Sequence, residues 1–464
     1  MELPKEADKE VCQQLEQLAE AGAVLENGGH GDKVLGHLSL RDPRGRGFWM
    51  KRSGISLAEL QGPQDFILLD FEGKKKAGKG KRHAEWPIHG EIFLARSDVN
   101  VVGHTHPYNA GVISTTEEPV EALTKAGAFF SSGLPRYRKT SNLIIHKNMG
   151  TGLASALGHA KAVLMRNHGI TYVGSDVAEC VVVGLLCEYA CRDQLRAAMS
   201  KLTFKISATA ASSFRSHRNL FVEEVWESLR RRVTKATGAE PKEGSGNYLD
   251  RFIEANRILS NEGVEFLNFD LVAFKDPSRR IICGLPELSL GEISGSDDLI
   301  VLENAPNFYP GVNYLKKVFS ILPKTEAAIF CCAPSVALFS SAAEPLCPTG
   351  DEGRHFEGLS VKILPDQAIE NIPPDTRVVF LPNEGAIILA NSIEVACLRA
   401  IFLERACSIQ IDAAATGLAW GWLPDSEQGV VGMTLEGQGQ IENFWSFYKR
   451  KLDRKDAGQP LPGE

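Results

Sequence analysis

The sequence predicts an α/β protein built as two tandem copies of one domain, and three observations carry that expectation. Short apolar or alternating segments that read as strands recur between stretches of helical spacing. The order of these elements in the second half repeats that in the first. A chain of 464 residues also exceeds what a single ordinary core accommodates.

Taken in order, Asp8 to Glu26 sets Val11, Leu15, Leu18, Ala21 and Leu25 at the threes and fours of a helix. A glycine-rich turn, Asn27 to Gly31, follows. Leu38 and Leu40 then alternate with Ser39 and Arg41 in a strand that stops at Asp42-Pro43. Phe48 to Lys51 and Phe66 to Asp70 read as strands, with the polar turn Lys51-Arg52-Ser53-Gly54 between them. Glu72 to Arg82 is rich in Lys and Gly and reads as a solvated loop. Glu85 to Arg96 predicts a helix that leads into an apolar strand at Val101, and Pro119 to Phe130 predicts another helix. Asn142 to His146, Ala162 to Arg166 and Ile170 to Val173 read as strands, the last two joined by the turn Asn167-His168-Gly169. Ser175-Asp176 caps a long helix that runs to Met199. Thr234 to Asn247 is polar and rich in Gly, a linker composition. The expected domains are therefore 1–233 and 248–452, with a linker at 234–247 and a polar tail at 453–464.

The second half echoes the first. Leu38 to Pro43 is matched by Val272 to Pro277, Asp98 to Pro107 by Thr325 to Pro334, and Ala162 to Ile170 by Val378 to Ala386. Both halves continue into an apolar helix, around Glu188 and Glu404. Apolar and turn positions are kept, whereas His37 becomes Leu271, Ser39 becomes Ala273, His104 becomes Cys331, His106 becomes Ala333 and His168 becomes Glu384. Histidines needed for folding would be needed twice. These read as a site that only the first copy has.

Bulk composition sets further bounds. A content of 43% hydrophobic and 23% charged residues is that of a soluble globular protein. The net charge of −7 comes without a basic face for nucleic acid. Met1 to Asp8 has no apolar core of a secretion signal, and the apolar run Val177 to Cys191, broken by Glu179 and Glu188, is too short for a bilayer. Ten scattered cysteines without a CxxC pair read as reduced residues of a cytoplasmic protein.

The chemistry centres on His104-Thr105-His106. Residues i and i+2 of a strand share a face, so both imidazoles converge. His168, on a glycine-flanked turn, is the expected third ligand of a divalent metal. Three protein ligands leave coordination positions open, as catalytic sites do. Zinc is the first choice, and Fe2+ or Mn2+ also accept imidazole. Glu85, 19 residues before His104 at the start of a helix, is the candidate proton-transfer group, with helix-dipole stabilisation as its plainer role.

These motifs, His104-Thr105-His106-Pro107, Asn167-His168-Gly169 and Glu85 at its distance, resemble the class II aldolase/adducin family from about Asp8 to Met199, and in degenerate form through the second copy. The resemblance implies an α/β/α sandwich around a mostly antiparallel sheet in each copy. It also implies metal binding by the three histidines, proton transfer by Glu85, and assembly as tetramers with sites between subunits. A chain of two copies would mimic that tetramer as a homodimer. Where the family's sugar-phosphate aldolases carry phosphate-binding turns, this chain has Gly36-His37-Leu38-Ser39 and Lys51-Arg52-Ser53-Gly54, and the first copy has no match for the aldolases' tyrosine acid. The Gly-His-x-Ser and His-Thr-His-Pro pairing is similar to a subgroup with aromatic decarboxylases and a non-haem iron oxygenase. The implied activity is metal-dependent C–C cleavage, by aldol cleavage or decarboxylation through an enediolate-like intermediate. His37, Ser39, Lys51 and Arg52 would hold the anionic end of a small oxygen-rich substrate. An iron oxygenase, an epimerase or dehydratase, and an adducin-like scaffold without catalysis are the alternatives.

Overall fold

In the computed structural model the apolar segments of the first half pair into one sheet of eight strands, and those of the second half into one of seven. The structure describes residues 9–205, 218–234, 248–347, 351–356, 358–363, 369–370, 372–416, 441, 445–449 and 452. The linker 235–247, Trp420, Trp422, Phe444 and the tail 453–464 lie outside them.

In the first unit the strands are β1 (His37–Arg41), β2 (Phe48–Lys51), β3 (Phe66–Leu69), β4 (Lys75–Ala77), β5 (Val101–Thr105), β6 (Arg136–Tyr137), β7 (Ala162–Met165) and β8 (Gly169–Gly174). The helices are α1 (Lys9–Leu25), α2 (Trp86–Ala95), α3 (Tyr108–Ser114), α4 (Lys125–Phe129), α5 (Lys147–Leu157), α6 (Val177–Ser200) and α7 (Arg218–Thr234). The sheet order is β4-β3-β2-β1-β5-β8-β7-β6. Every pairing is antiparallel except β6 with β7.

Strand periodicity assigns the two faces. Met50, Ile67, Val102, Val163 and Val173 point to one side and pack with Ile88 and Ile92 of α2 and Leu153 and Leu157 of α5. Gly103 and Tyr172 point to the other. A Cβ at Gly103 would lie 2.3 Å from the Tyr172 ring, and one at Gly184 of α6 would lie 2.7 Å from it. Both glycines are therefore required where sheet and helix close on one aromatic ring. Sandwiching the sheet between helices in this way is the α/β/α arrangement the resemblance implies.

The second unit orders its strands as β11-β10-β9-β12-β15-β14-β13, the same path through the sheet without a counterpart of β4. These are β9 (Leu271–Lys275), β10 (Ile281–Gly284), β11 (Leu299–Val301), β12 (Ala327–Cys331), β13 (Ser360–Lys362), β14 (Val378–Leu381) and β15 (Gly385–Ala390). Local devices recur as well. Asp42 accepts from the Arg46 amide and guanidinium, and Asp276 does the same for Arg280. Asn167 and Asn383 both take the left-handed turn, with φ of 53° and 65°.

Several sequence expectations need correction. The helix expected over Pro119–Phe130 forms only as α4. Asn142–His146 is no strand, because the Ile144 amide is given to Glu85 instead of a neighbouring chain and Leu143 and Ile145 are exposed. The Lys/Gly-rich stretch carries the edge strand β4. Among the described residues, 123–125 and 196–205 group with the second unit, so the units are not the two continuous halves expected. Leu123 gives its carbonyl to Ser341 and Asn383, and the Lys205 amide reaches the Ser341 carbonyl. Pairing between residues so distant leaves no trace in local periodicity.

The internal equivalence also shifts by one residue on the central strand. Thr105 pairs with Ile170, the residue after Gly169, whereas Cys331 pairs with Ala386, the residue after Gly385. His37 faces His104 across the ladder, and Leu271 faces Phe330. His104 thus corresponds to Phe330 and His106 to Cys332. The matched prolines caused the slip: Pro107 caps α3, but Pro334 is the first residue of its helix (Pro334–Ser340), where proline is tolerated.

Each short helix after the central strand is capped from a distance. Glu188 accepts from the Asn109 and Ala110 amides at 2.9 and 2.8 Å, and Glu404 accepts from Ser335 and Val336, the Val336 bond being 2.9 Å. Replacing Glu188 with Ala orphans two buried amides, so the Glu188→Ala chain is expected to be about 2 kcal/mol less stable in urea unfolding. An unchanged midpoint would show that water replaces the carboxylate.

Candidate metal centre

The register just described carries the site. His104 is the penultimate residue of β5 and is fully buried; His106 follows the strand end, and His168 sits on the turn between β7 and β8. Their rings approach with centroids 4.8 Å apart for His104 and His106, 5.0 Å for His104 and His168, and 5.3 Å for His106 and His168. The structure therefore brings the three expected ligands together.

Their hydrogen bonds fix which nitrogen faces inward. His104 Nδ1 lies 2.9 Å from the Ile170 carbonyl, which only accepts, so Nδ1 carries the proton and Nε2 keeps its lone pair. His106 Nδ1 donates to Asp32 Oδ2 at 3.1 Å with the same consequence. The two Nε2 atoms then face each other at 3.1 Å. Two lone pairs at that separation repel unless a cation lies between them. Both ring nitrogens of buried His168 have no hydrogen-bond partner. Imidazole nitrogens on one tetrahedral zinc lie about 3.3 Å apart, given Zn–N bonds of about 2.05 Å. The residues fit a divalent ion, and Asp32 stands where an outer carboxylate would orient His106 as a ligand.

Electrostatics keeps the ligands neutral. Burial, then His106, His168 and His89, hold His104 well below the ordinary histidine range. Burial and His106 lower His168 to about 4. Burial lowers His106 too, against the pull of Asp32.

Glu85 caps α2 beside the triad. The Ile144 amide donates to its Oε1 at 2.8 Å; Oε1 lies 3.6 Å from His168 Nε2, and Oε2 lies 3.8 Å from His104 Nε2 and 3.9 Å from His37 Nε2. Burial raises its pKa, partly offset by the Ile144 bond. That carboxyl thus lies beside the cluster with its proton affinity raised.

The remaining expected residues divide. His37 and Ser39 are at the site but engaged in a buried chain: Ser39 Oγ to His89 Nδ1 at 2.6 Å, and His89 Nε2 to His37 Nδ1 at 2.7 Å. Lys51 is fully buried, with Nζ bonded to the Ile55 and Val34 carbonyls, and burial lowers its pKa to about 8. Arg52 is paired with Asp65, both contacts at 3.2 Å. Neither cation is free to hold a substrate anion in this arrangement. Sequence reasoning missed Asp32, His83 and His89. The two histidines flank Glu85 in His83-Ala84-Glu85-Trp86-Pro87-Ile88-His89, and the i, i+4 spacing of Glu85 and His89 across the first turn of α2 was a usable signal. The His83 ring lies 4.7 Å from that of His37, and its buried Nε2 has no partner.

With this geometry in view, the comparisons with known proteins fall into place. Residues 16–195 match the Class II Aldolase and Adducin N-terminal domain, which supports the class II aldolase family for the first unit. The chain is 27% identical over 184 residues to the meiotically up-regulated gene 14 protein of Schizosaccharomyces pombe, spanning 39% of this chain and 71% of that one. It is 28% identical over 186 residues to the 3,4-dihydroxyphthalate decarboxylase of Arthrobacter keyseri, spanning 36% and 71%. Among solved structures, the L-fuculose 1-phosphate aldolase of Glaciozyma antarctica is similar with a TM-score of 0.44 and 24% identity, over 50% of this chain and 95% of that one.

Two outcomes test this centre. A Cβ at Gly169 would lie 2.5 Å from the Thr105 carbonyl and 2.7 Å from His106 Cδ2. Gly169→Ala should therefore displace the His106 ring and weaken zinc binding tenfold to about a hundredfold in calorimetric titration; unchanged affinity would mean that His106 is not a ligand. The second outcome concerns acid. His30 and His89 are lowered to about 3 by burial, with His83 adding to the effect on His89, and His83 and His168 are lowered to about 4. Unfolded imidazoles titrate near 6.5, so between about 6.5 and 4 the unfolded chain binds more protons, and stability falls as pH falls through that window. Chelator-treated protein should lose roughly 4 kcal/mol between pH 7.5 and 5.5 in urea melts; a flat profile would show these rings solvated.

Proposed function

We propose that the first unit is a metal-dependent lyase that breaks a C–C bond, by aldol cleavage or decarboxylation, in a small oxygen-rich anion. The observation that carries this reading is the pair of facing Nε2 lone pairs of His104 and His106 beside an unpartnered His168. The relative named 3,4-dihydroxyphthalate decarboxylase supports a lyase. When bound, a divalent ion, zinc by preference, would supply the Lewis acidity that stabilises charge developing on substrate oxygens.

The chain's own residues do the rest. His104, His106 and His168 would hold the ion, with Asp32 and the Ile170 carbonyl fixing two of the rings. Glu85 holds or delivers the proton at its Oε2, while the Ile144 amide keeps the carboxyl from turning away. His37, backed by His89 and Ser39, presents Nε2 beside that carboxyl and orients the substrate's polar end. The ten cysteines are all free and buried, which suits a reducing, cytoplasmic setting. No helix among the described residues is long and apolar enough to cross a membrane.

The test is metal analysis followed by a substrate screen. Purified protein should bind one ion per chain, and His168→Ala should lose it. Loaded protein is then offered hydroxy-acids, sugar phosphates and catechol carboxylates, with CO2 and aldehyde read as products. Glu85→Gln should keep the ion and lose 10²–10⁴-fold in turnover. A chain that binds no ion sinks the proposal, and oxygen consumption by iron-loaded protein in place of CO2 or aldehyde release would assign it to the oxygenases.

A further inference from the structure

The second unit has replaced all three imidazoles, and the replacements are not idle. Phe330, Cys332 and Glu384 stand at the positions of His104, His106 and His168. All three meet one side chain, Lys125, which groups with the second unit. Its Nζ lies 2.8 Å from the Glu384 carbonyl, 3.2 Å from Glu384 Oε2 and 3.2 Å from Cys332 Sγ. It also lies 4.9 Å from the centroid of the Phe330 ring, over its face. The side chain is only 7% exposed. Asn383 and Ser341 hold the Leu123 carbonyl, two residues away, at 3.0 and 2.8 Å.

We propose that the Lys125 ammonium is a built-in cation that takes the place of a metal ion in the second unit. The surroundings suit an ammonium: a carboxylate and a carbonyl accept from it, a thiol sulfur lies within reach, and a ring face covers it, whereas the carbonyl and the ring are poor zinc ligands. Burial opposes the charge on Lys125, but Cys332 and Glu384 hold its pKa above the ordinary value. Burial pushes the Cys332 thiol up to about 12, against the pull of Lys125. The internal ion pair closes the site against exogenous metal and explains why the second unit needs no histidine there. That the ammonium stands in for a metal rests on the function proposed for the first unit; the ion pair itself does not.

The test is thermal unfolding of the full chain. Lys125→Met leaves the Glu384 carboxylate buried without a cation and should lower the midpoint of the second unit's transition by on the order of 10 °C. Glu384→Gln added to Lys125→Met should restore most of that loss, because the unpaired carboxylate is what costs. Ethylammonium chloride should raise the midpoint of Lys125→Ala, and tetramethylammonium chloride, too large for the vacated space, should not. If Lys125→Met does not fold, a cooperatively folding double variant supports the proposal. A Lys125→Met chain as stable as the parent, a double variant no better than the single one, or failure of both to fold would overturn it.

Discussion

Two imidazole lone pairs, on Nε2 of His104 and His106, face each other at 3.1 Å, and much of the first unit holds them there. The antiparallel pairing of β5 with β8 sets the Ile170 carbonyl against His104 Nδ1. The same pairing lets the β7–β8 turn carry His168 to the opening. The glycine-rich turn after α1 brings Asp32 to His106, and the start of α2 brings Glu85. Each contact removes a way for a ring to rotate, so the repulsion is kept in place. A scaffold that stores such a conflict in a dry interior is shaped for a positive charge.

The second unit shows how the same scaffold behaves once that demand is lifted. It keeps the sheet order, the left-handed asparagine before the turn glycine, the aspartate–arginine turn and the distant glutamate cap on the short helix. The second unit lacks a counterpart of β4, and over one end of the central strands it carries Phe330, Cys332 and Glu384 where the first has His104, His106 and His168. Positions that hold the fold are thus kept where the residues of the candidate site differ, and the register of the strands decides which residue faces which.

Much of this was legible in the sequence because it is local. Helical spacing fixed α1 and α6, alternation fixed β1, and His104, His106, His168 and Glu85 stood out by pattern. What escaped depends on distant partners. Asn142 to His146 has strand composition, but its Ile144 amide serves Glu85. Lys51 and Arg52 read as holders of a substrate anion, yet one is buried on carbonyls and the other is paired with Asp65. Asp32 belongs to no motif, and His89 is marked only by its i, i+4 spacing from Glu85. The equivalence of His104 with Phe330 was hidden by two prolines with different jobs, and only hydrogen-bond register distinguishes them.

The anchoring of residues 123–125 in the second unit has a consequence for how the chain can be divided. That unit is discontinuous: part of its interior is encoded more than a hundred residues before its first strand, β9. A ribosome emerging with the second sheet has already made the ammonium that completes it. A gene fragment beginning after the linker would encode the Glu384 carboxylate without the cation that meets it. The two halves are separable on paper, at a glycine-rich seam, but not as objects that could have parted company since Lys125 took up its post.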